Sequence, residues 1–299
     1  MVRYTNLDEG ERISEEASFL SSEVDYVKFL ERLYREEGID LSLYKQNQMR
    51  RRLNMTVRQA GFDSYCRFLD HAKQNEEVYR KFVDRITINV SEFFRNPDKF
   101  EILEQRFLIP LFKRTASPLI WSAGCSTGEE PYTLALLLEK HQVSPLVKVL
   151  GWDFDRNALA RAAHGIYDDK AVAGVPPDLL AQHFTRLPDG RLQVSERLKQ
   201  RVRLEKHNML EDPFPRNVDV ILCRNVVIYF KDRAKEDLFI RFSQALARDG
   251  VLMIGASERI PNTTEAKLRA IEPFFYVRTD LSPLPRGGGA EPERHGRLG

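Results

Sequence analysis

The chain has 299 residues, enough for one large domain or two smaller ones. Hydrophobic residues make up 42% and charged residues 30%, ordinary for a soluble protein with a core. The net charge of +2 says nothing about nucleic acid, and no apolar stretch approaches the roughly 18–20 residues that span a bilayer. No apolar N-terminal run precedes a small-residue cleavage site, so no signal peptide is expected. Cys66, Cys125 and Cys223 are widely spaced and lack a neighbouring His or second Cys. They read as reduced thiols of a cytoplasmic protein, with no metal site.

Residues 1–22 carry five acids and two arginines and read as an N-terminal arm. Residues 23–90 read as a small all-α domain of three or four helices. Val27, Leu30, Leu33 and Tyr34 fall on one face, as do Tyr65, Phe68, Leu69 and Ala72, and Gly38 and Gly61 mark breaks. Between Leu43 and Lys73 stand seven Lys or Arg against two acids, with Arg50, Arg51, Arg52 and Arg58 at the centre. Residues 91–117 read as a linker helix, with Asn96 as its cap and Pro97 in its first turn.

After Pro118 strands and helices alternate. Strands are expected at 119–123, 147–152, 202–206, 218–223 and 250–255, with one more within 274–279. Helices are expected at 131–141, 156–164 and 232–247. The fold class is therefore α/β, a Rossmann-like domain over 118–281 with a mostly parallel sheet. Pro188-Asp189-Gly190 between two alternating runs predicts a hairpin, part of a small antiparallel insert at about 166–201. Residues 282–299 are rich in Gly and Pro and read as a disordered tail.

The stretch L-I-W-S-A-G-C-S-T-G-E-E-P-Y (119–132) reads as strand, tight loop and helix start, a place where α/β folds hold ligands. Glu129 and Glu130 would repel a pyrophosphate and favour a ligand with a cationic end. S-adenosylmethionine, with an ammonium and a sulfonium, suits them. The competing reading is a capping box of Thr127 with Glu130. Asp153 stands at the end of the second strand, where a carboxylate can accept both ribose hydroxyls. Asp155 fits as the cap of the next helix. Asn208 and the backbone of Met209 follow the third strand, where they could meet an adenine edge; His207 reads as structural. Arg224 and Asn225 end the fourth strand, where a buried charge needs a reason. Tyr229 either places its hydroxyl over the same crevice or merely packs.

No Pro-Pro-aromatic run or Pro-Cys pair follows the fourth strand, so amino or cytosine methylation is not indicated. A carboxylate acceptor needs neither device, because it is already ionised at pH 7. It needs a fixed cation, and Arg95 in S-E-F-F-R is the candidate.

Together, I-N-V-S-E-F-F-R-N (88–96), W-S-A-G-C-S-T-G-E-E-P-Y (121–132), W-D-F-D (152–155), G-I-Y (165–167), H-N-M-L (207–210) and C-R-N-V-V-I-Y-F (223–230) resemble the CheR family of chemotaxis receptor methyltransferases. The resemblance spans about residues 25–280. It implies methyl transfer from S-adenosylmethionine to glutamates on cytoplasmic helices of chemoreceptors, leaving γ-methyl esters and S-adenosylhomocysteine, with no metal. By motif, Asn89, Ser91, Arg95, Glu130, Asp153, Asn208, Met209, Arg224 and Asn225 would line the cofactor site. Arg95 and Tyr229 would lie nearest the methyl. Arg50, Arg51, Arg52 and Arg58 would offer a basic helix face to an acidic receptor coiled coil, the alternative being an ordinary solvated face. The short P-D-G-R turn argues against binding of the receptor's C-terminal pentapeptide. Neither nucleic acid nor membrane insertion is expected, and nothing demands more than a monomer. A different class of reading is a non-catalytic S-adenosylmethionine-binding signalling module.

Overall fold

The computed structural model describes residues 23–87, 91–260 and 265–280. The expected arm, the tail and Asn89 lie outside the described residues.

Four helices, α1 (Glu23–Glu37), α2 (Gln46–Gln59), α3 (Tyr65–Gln74) and α4 (Glu76–Thr87), form the first layer, with a 3-10 turn at Leu41–Leu43. They bury their own core, centred on Phe29, Leu33, Leu53, Tyr65, Phe68 and Phe82. The buried face of α1 is Tyr26, Phe29, Leu30 and Leu33; Val27 and Tyr34 sit at its margin. The apolar stripe is thus turned one residue from the expected one. On α3, Tyr65, Phe68, Leu69 and Ala72 are all buried as expected.

A continuous helical run follows, α5 (Pro97–Leu103), a π turn at Glu104–Leu108, and α6 (Ile109–Arg114). Asn96 precedes it, but its side chain makes no cap bond. Its backbone is left-handed (φ 63°), which turns the amide away from the helix.

The second unit is α/β: β1 (Ile120–Ala123), α7 (Glu129–Lys140), β2 (Val149–Asp153), α8 (Arg156–His164), β3 (Ile166–Tyr167), α9 (Pro177–His183), β4 (Phe184–Arg186), β5 (Leu192–Val194), α10 (Glu196–Lys199), β6 (Val202–Lys206), β7 (Val218–Cys223), α11 (Asp232–Ala245), β8 (Leu246–Ile254), β9 (Leu268–Glu272) and β10 (Phe275–Arg278). Seven strands form one sheet in the order β6-β2-β1-β7-β8-β10-β9. β6, β2, β1, β7 and β8 run parallel, while β10 is antiparallel to both its neighbours. β9 was not anticipated, and β8 starts four residues early.

Alternate residues of the central strands face opposite layers. Ile120, Val220, Leu222, Val251 and Met253 join the core under the linker helices and α7. Trp121, Ala123, Ile221, Cys223, Leu252 and Ile254 join the core under α11. β3, β5 and β4 form the small antiparallel sheet, with the β4–β5 turn at Pro188–Gly190. Among the described residues, no helix is long and apolar enough to cross a membrane.

The chain runs from β1 outward to β2 and β6, then returns to place β7 on the other side of β1. That reversal is the topological switch point of the sheet. Ligands of such sheets bind outside the carboxyl ends of the strands flanking it.

Candidate active site

A cleft opens at that edge, the place where such sheets hold ligands. Gly124, Cys125 and Ser126 follow β1, Asp153 and Phe154 end β2, His207 to Leu210 follow β6, and Arg224 to Val226 follow β7. All of them line it. The opposite wall comes from the helical domain (Gly38 to Leu41, Tyr44, Ile86) and from Ser91, Glu92 and Arg95. The cleft brings together the anticipated Ser91, Arg95, Glu130, Asp153, Asn208, Met209, Arg224, Asn225 and Tyr229.

The two walls are joined through backbone. Tyr44 bridges Phe230 in antiparallel fashion. The Lys45 N–H donates to the Tyr229 carbonyl at 2.9 Å, and the Lys231 N–H donates to the Leu43 carbonyl at 2.8 Å. Tyr44 and Phe230 pack edge to face at 4.9 Å. Arg161 of α8 pairs with Asp84 of α4 at 3.0 Å.

The β1 loop turns on Gly124 at φ +78°, where a Cβ would stand 2.6 Å from Val226. Only glycine allows this close approach. Thr127 and Glu130 make no capping box. Gly128, left-handed at φ 95°, takes the cap position of α7, so Thr127 sits one residue too far back. Its hydroxyl instead donates to Glu129 at 2.7 Å. Glu130 accepts from Ser122 Oγ at 2.7 Å and faces Arg224 Nη1 at 3.4 Å. Burial pushes the Glu130 carboxyl up, and Arg224 and Ser122 pull it back. The fold also separates the two acids. Glu130 lines the main cleft, while Glu129 lines a second cavity with Arg161, Tyr167 and Lys170.

Asp153 Oδ2 accepts the Ser126 N–H at 2.7 Å, and its Oδ1 accepts the Asp155 N–H at 2.9 Å. The carboxylate therefore ties the β1 loop to the β2 loop. Loss of water around it pushes its pKa up to about 6, although these N–H groups oppose the shift. Asp155 caps α8 as expected, accepting from Asn157 and Ala158.

Arg224, with 4% of its side chain exposed, fixes the linker. Its Nη2 donates to the Arg95 carbonyl at 2.6 Å and to Asn96 Oδ1 at 2.7 Å. This contact occupies the Asn96 side chain that the sequence assigned to capping. The guanidinium also lies over Phe100 at 5.2 Å. Its Nε is buried with no hydrogen-bond partner.

Asn208 Oδ1 accepts the Leu210 N–H at 3.1 Å. The Met209 carbonyl accepts from Arg241, so that oxygen is already engaged. His207 lines the cleft but packs, tilted, against Trp152 (4.6 Å) and Phe214 (5.8 Å), and burial lowers its pKa. The Tyr229 ring carries Arg52 over it at 5.1 Å.

The four arginines do not share one face. Arg50 turns inward, pairs with Glu23 at 2.7 Å and stacks over Tyr26 at 4.5 Å. Its assignment to a docking surface is therefore replaced by a packing one. Arg51 and Arg58 are exposed beside the exposed Met55, and Arg52 is half-buried against Tyr229. Sequence reasoning missed Asp40, Tyr44, Glu92 and Phe154 as cleft residues.

The residues fit S-adenosylmethionine. The cleft offers carboxylates at Asp153 and Glu130 and a close-packed glycine at Gly124, where a Cβ would intrude. Comparison with known proteins agrees. Residues 24–87 match the family description "CheR methyltransferase, all-alpha domain", and residues 89–274 match "CheR methyltransferase, SAM binding domain". The chain belongs to the CheR methyltransferase family. Curated relatives of this CheR group include the chemotaxis protein methyltransferase of Listeria monocytogenes, 34% identical over 86% of this chain and 98% of that one. Those of Borreliella burgdorferi (34%, covering 82% and 91%) and Salmonella typhimurium (32%, covering 81% and 85%) are similar. The chain is thus an S-adenosylmethionine-dependent methyltransferase of the chemotaxis type.

Proposed function

We propose that this protein esterifies glutamate side chains on the cytoplasmic helices of chemoreceptors, leaving γ-methyl esters and S-adenosylhomocysteine. One observation carries the reading. Arg95, from the linker, lines the same cleft as Asp153 and Glu130 on the sheet side. A cation thus faces the place where two carboxylates would hold a cationic cofactor.

In this reading Asp153 binds the ribose hydroxyls and Glu130 the methionine ammonium. Asn208 and Met209 border the adenine, and Arg224, Asn225 and Ser91 complete the methionine end; Asn89 is a cofactor residue by motif alone. When bound, S-adenosylmethionine supplies an electrophilic methyl on a sulfonium. The acceptor glutamate is already ionised at pH 7, with an ordinary pKa of about 4.3, so the protein need not remove a proton. Its task is to orient an anion in line and exclude water. Arg95 holds the acceptor carboxylate, and the Tyr229 hydroxyl borders the reacting atoms. Arg51, Arg52 and Arg58 on α2 meet acidic receptor helices. The short Pro188–Gly190 turn disfavours capture of a receptor C-terminal pentapeptide.

The test is transfer of labelled methyl from S-adenosylmethionine to receptor cytoplasmic fragments. Base-labile label on glutamate supports the reading. Cofactor binding without transfer to any cognate receptor would make the protein a non-catalytic sensor instead.

A further inference from the structure

Glu258 lies just beyond β8, in G-A-S-E-R, and has 3% of its surface exposed. Four backbone N–H groups converge on its carboxylate. Oε1 accepts from Val226 at 2.9 Å and Val227 at 3.0 Å. Oε2 accepts from Asn225 at 3.0 Å and Gly255 at 2.6 Å. Three of these donors are consecutive residues of the segment that carries Asn225 and Tyr229 into the cleft. Asn225 is left-handed (φ 60°), and a 3-10 turn, Val227–Tyr229, follows with Val226 at its cap position. Successive N–H groups in such a turn form a concave anion nest. Here the anion is a side chain of the protein itself.

The fit is close. A Cβ on Gly255 would stand 2.7 Å from Glu258 Oε2 and 2.8 Å from the Asn225 nitrogen. Glycine is therefore needed for the carboxylate to reach the nest. The far end of the same turn is held by the Lys45 N–H on the Tyr229 carbonyl. Tyr229 is thus fixed at one end by the sheet domain and at the other by the helical domain.

We propose that Glu258 is a positioning residue for methyl transfer, its carboxylate setting the Asn225–Tyr229 turn that presents Asn225 and Tyr229 to the cleft. The proposal rests on the functional reading above. A glutamine offers one acceptor oxygen and points N–H groups at donors, so Glu258→Gln opens the nest while keeping the side-chain volume.

The test compares Glu258→Gln, Gly255→Ala and Tyr229→Phe with the wild type, measuring kcat, KM for the acceptor and affinity for S-adenosylmethionine. Glu258→Gln should lower kcat roughly tenfold or more, about 1.4 kcal/mol in barrier, with acceptor KM changed less than about threefold. In the Tyr229→Phe background its effect on kcat should shrink sharply, because the two act through one turn. Gly255→Ala keeps Glu258 but displaces its carboxylate, and should give the same signature. It also carries the test if Glu258→Gln does not fold. Wild-type kcat in Glu258→Gln or in Gly255→Ala, or additivity with Tyr229→Phe, overturns the proposal. The ratio of variant to wild type is read on whichever acceptor the wild type methylates. A non-glutamate acceptor would therefore overturn the functional reading and leave this test intact. If the wild type methylates nothing, affinity for S-adenosylmethionine decides alone, since Asn225 lines its cleft. An unchanged affinity in Glu258→Gln then overturns the proposal.

Discussion

The two walls of the cleft are built by different means. The sheet wall is a set of strand ends held by a parallel ladder, and its ligand-facing groups bond one another across loops, as Asp153 does with Ser126 and Asp155. The helical wall is a separately cored layer; among the described residues its joints to the sheet domain include an antiparallel bridge at Tyr44 and Phe230 with backbone bonds on either side, an ion pair and apolar packing. The sheet wall carries the residues assigned to the cofactor, while the linker and helical layer carry Arg95 and the α2 arginines assigned to the acceptor. The sheet wall should therefore govern cofactor affinity, and the helical wall and linker should govern turnover and acceptor recognition.

The largest binding effect should come from Asp153→Ala. Losing hydrogen bonds to a charged group, at roughly 1.5–3 kcal/mol each, should weaken S-adenosylmethionine binding about 100-fold. Calorimetry showing no change would remove Asp153 from the cofactor wall.

The raised pKa of Asp153 makes the same wall pH-dependent. The folded value of about 6 stands above the ordinary 3.8, so the empty protein holds an extra proton between these values. Stability from this residue is full below about pH 4 and is lost as pH rises through 6. A cofactor that needs the ionised form gains affinity over that window. Binding should be about tenfold weaker at pH 5 than at pH 7, and Asp153→Asn should flatten the dependence.

On the helical wall, Arg51→Glu with Arg58→Glu should raise KM for the acceptor roughly tenfold at low salt, and less at high salt. Cofactor affinity should not move. A salt-independent change, or one in cofactor affinity, would break the division between walls.

Smallest of all should be Lys45→Pro. Lys45 has φ −62° and Tyr44 before it is extended, so proline fits and only the N–H to Tyr229 is lost. Turnover should fall about two- to fivefold, the worth of one net hydrogen bond, with cofactor affinity unchanged.

The two walls also differed in how much the sequence revealed. The sheet wall is local: each apolar strand runs directly into its polar end, so Glu130, Asp153, Asn208, Arg224 and Asn225 stand next to their own signals. The helical wall depends on Tyr44 and Lys45 meeting Tyr229 and Phe230 across nearly the whole sheet domain, and no periodicity encodes that contact. A count of basic residues does not show which way Arg50 points, and its guanidinium pairs with Glu23 and lies over Tyr26. Adjacent helix positions point about 100° apart, which turns Arg50 to Tyr26 and Glu23 while Arg51 faces out. The Asn-Pro pair at 96–97 and the T-x-x-E spacing from Thr127 both suit helix caps, but a left-handed backbone at Asn96 and at Gly128 places neither side chain on its helix. Glu258 gave no signal, because three of its four partners are backbone N–H groups 31 to 33 residues earlier.

The most direct test of this division is Arg95→Ala, assayed for S-adenosylmethionine affinity by calorimetry and for methyl transfer to receptor fragments at saturating cofactor. The account predicts that binding stays measurable while turnover falls about 100- to 1,000-fold, the loss of one preorganised charge stabiliser. Loss of cofactor binding with intact turnover at saturation would contradict it.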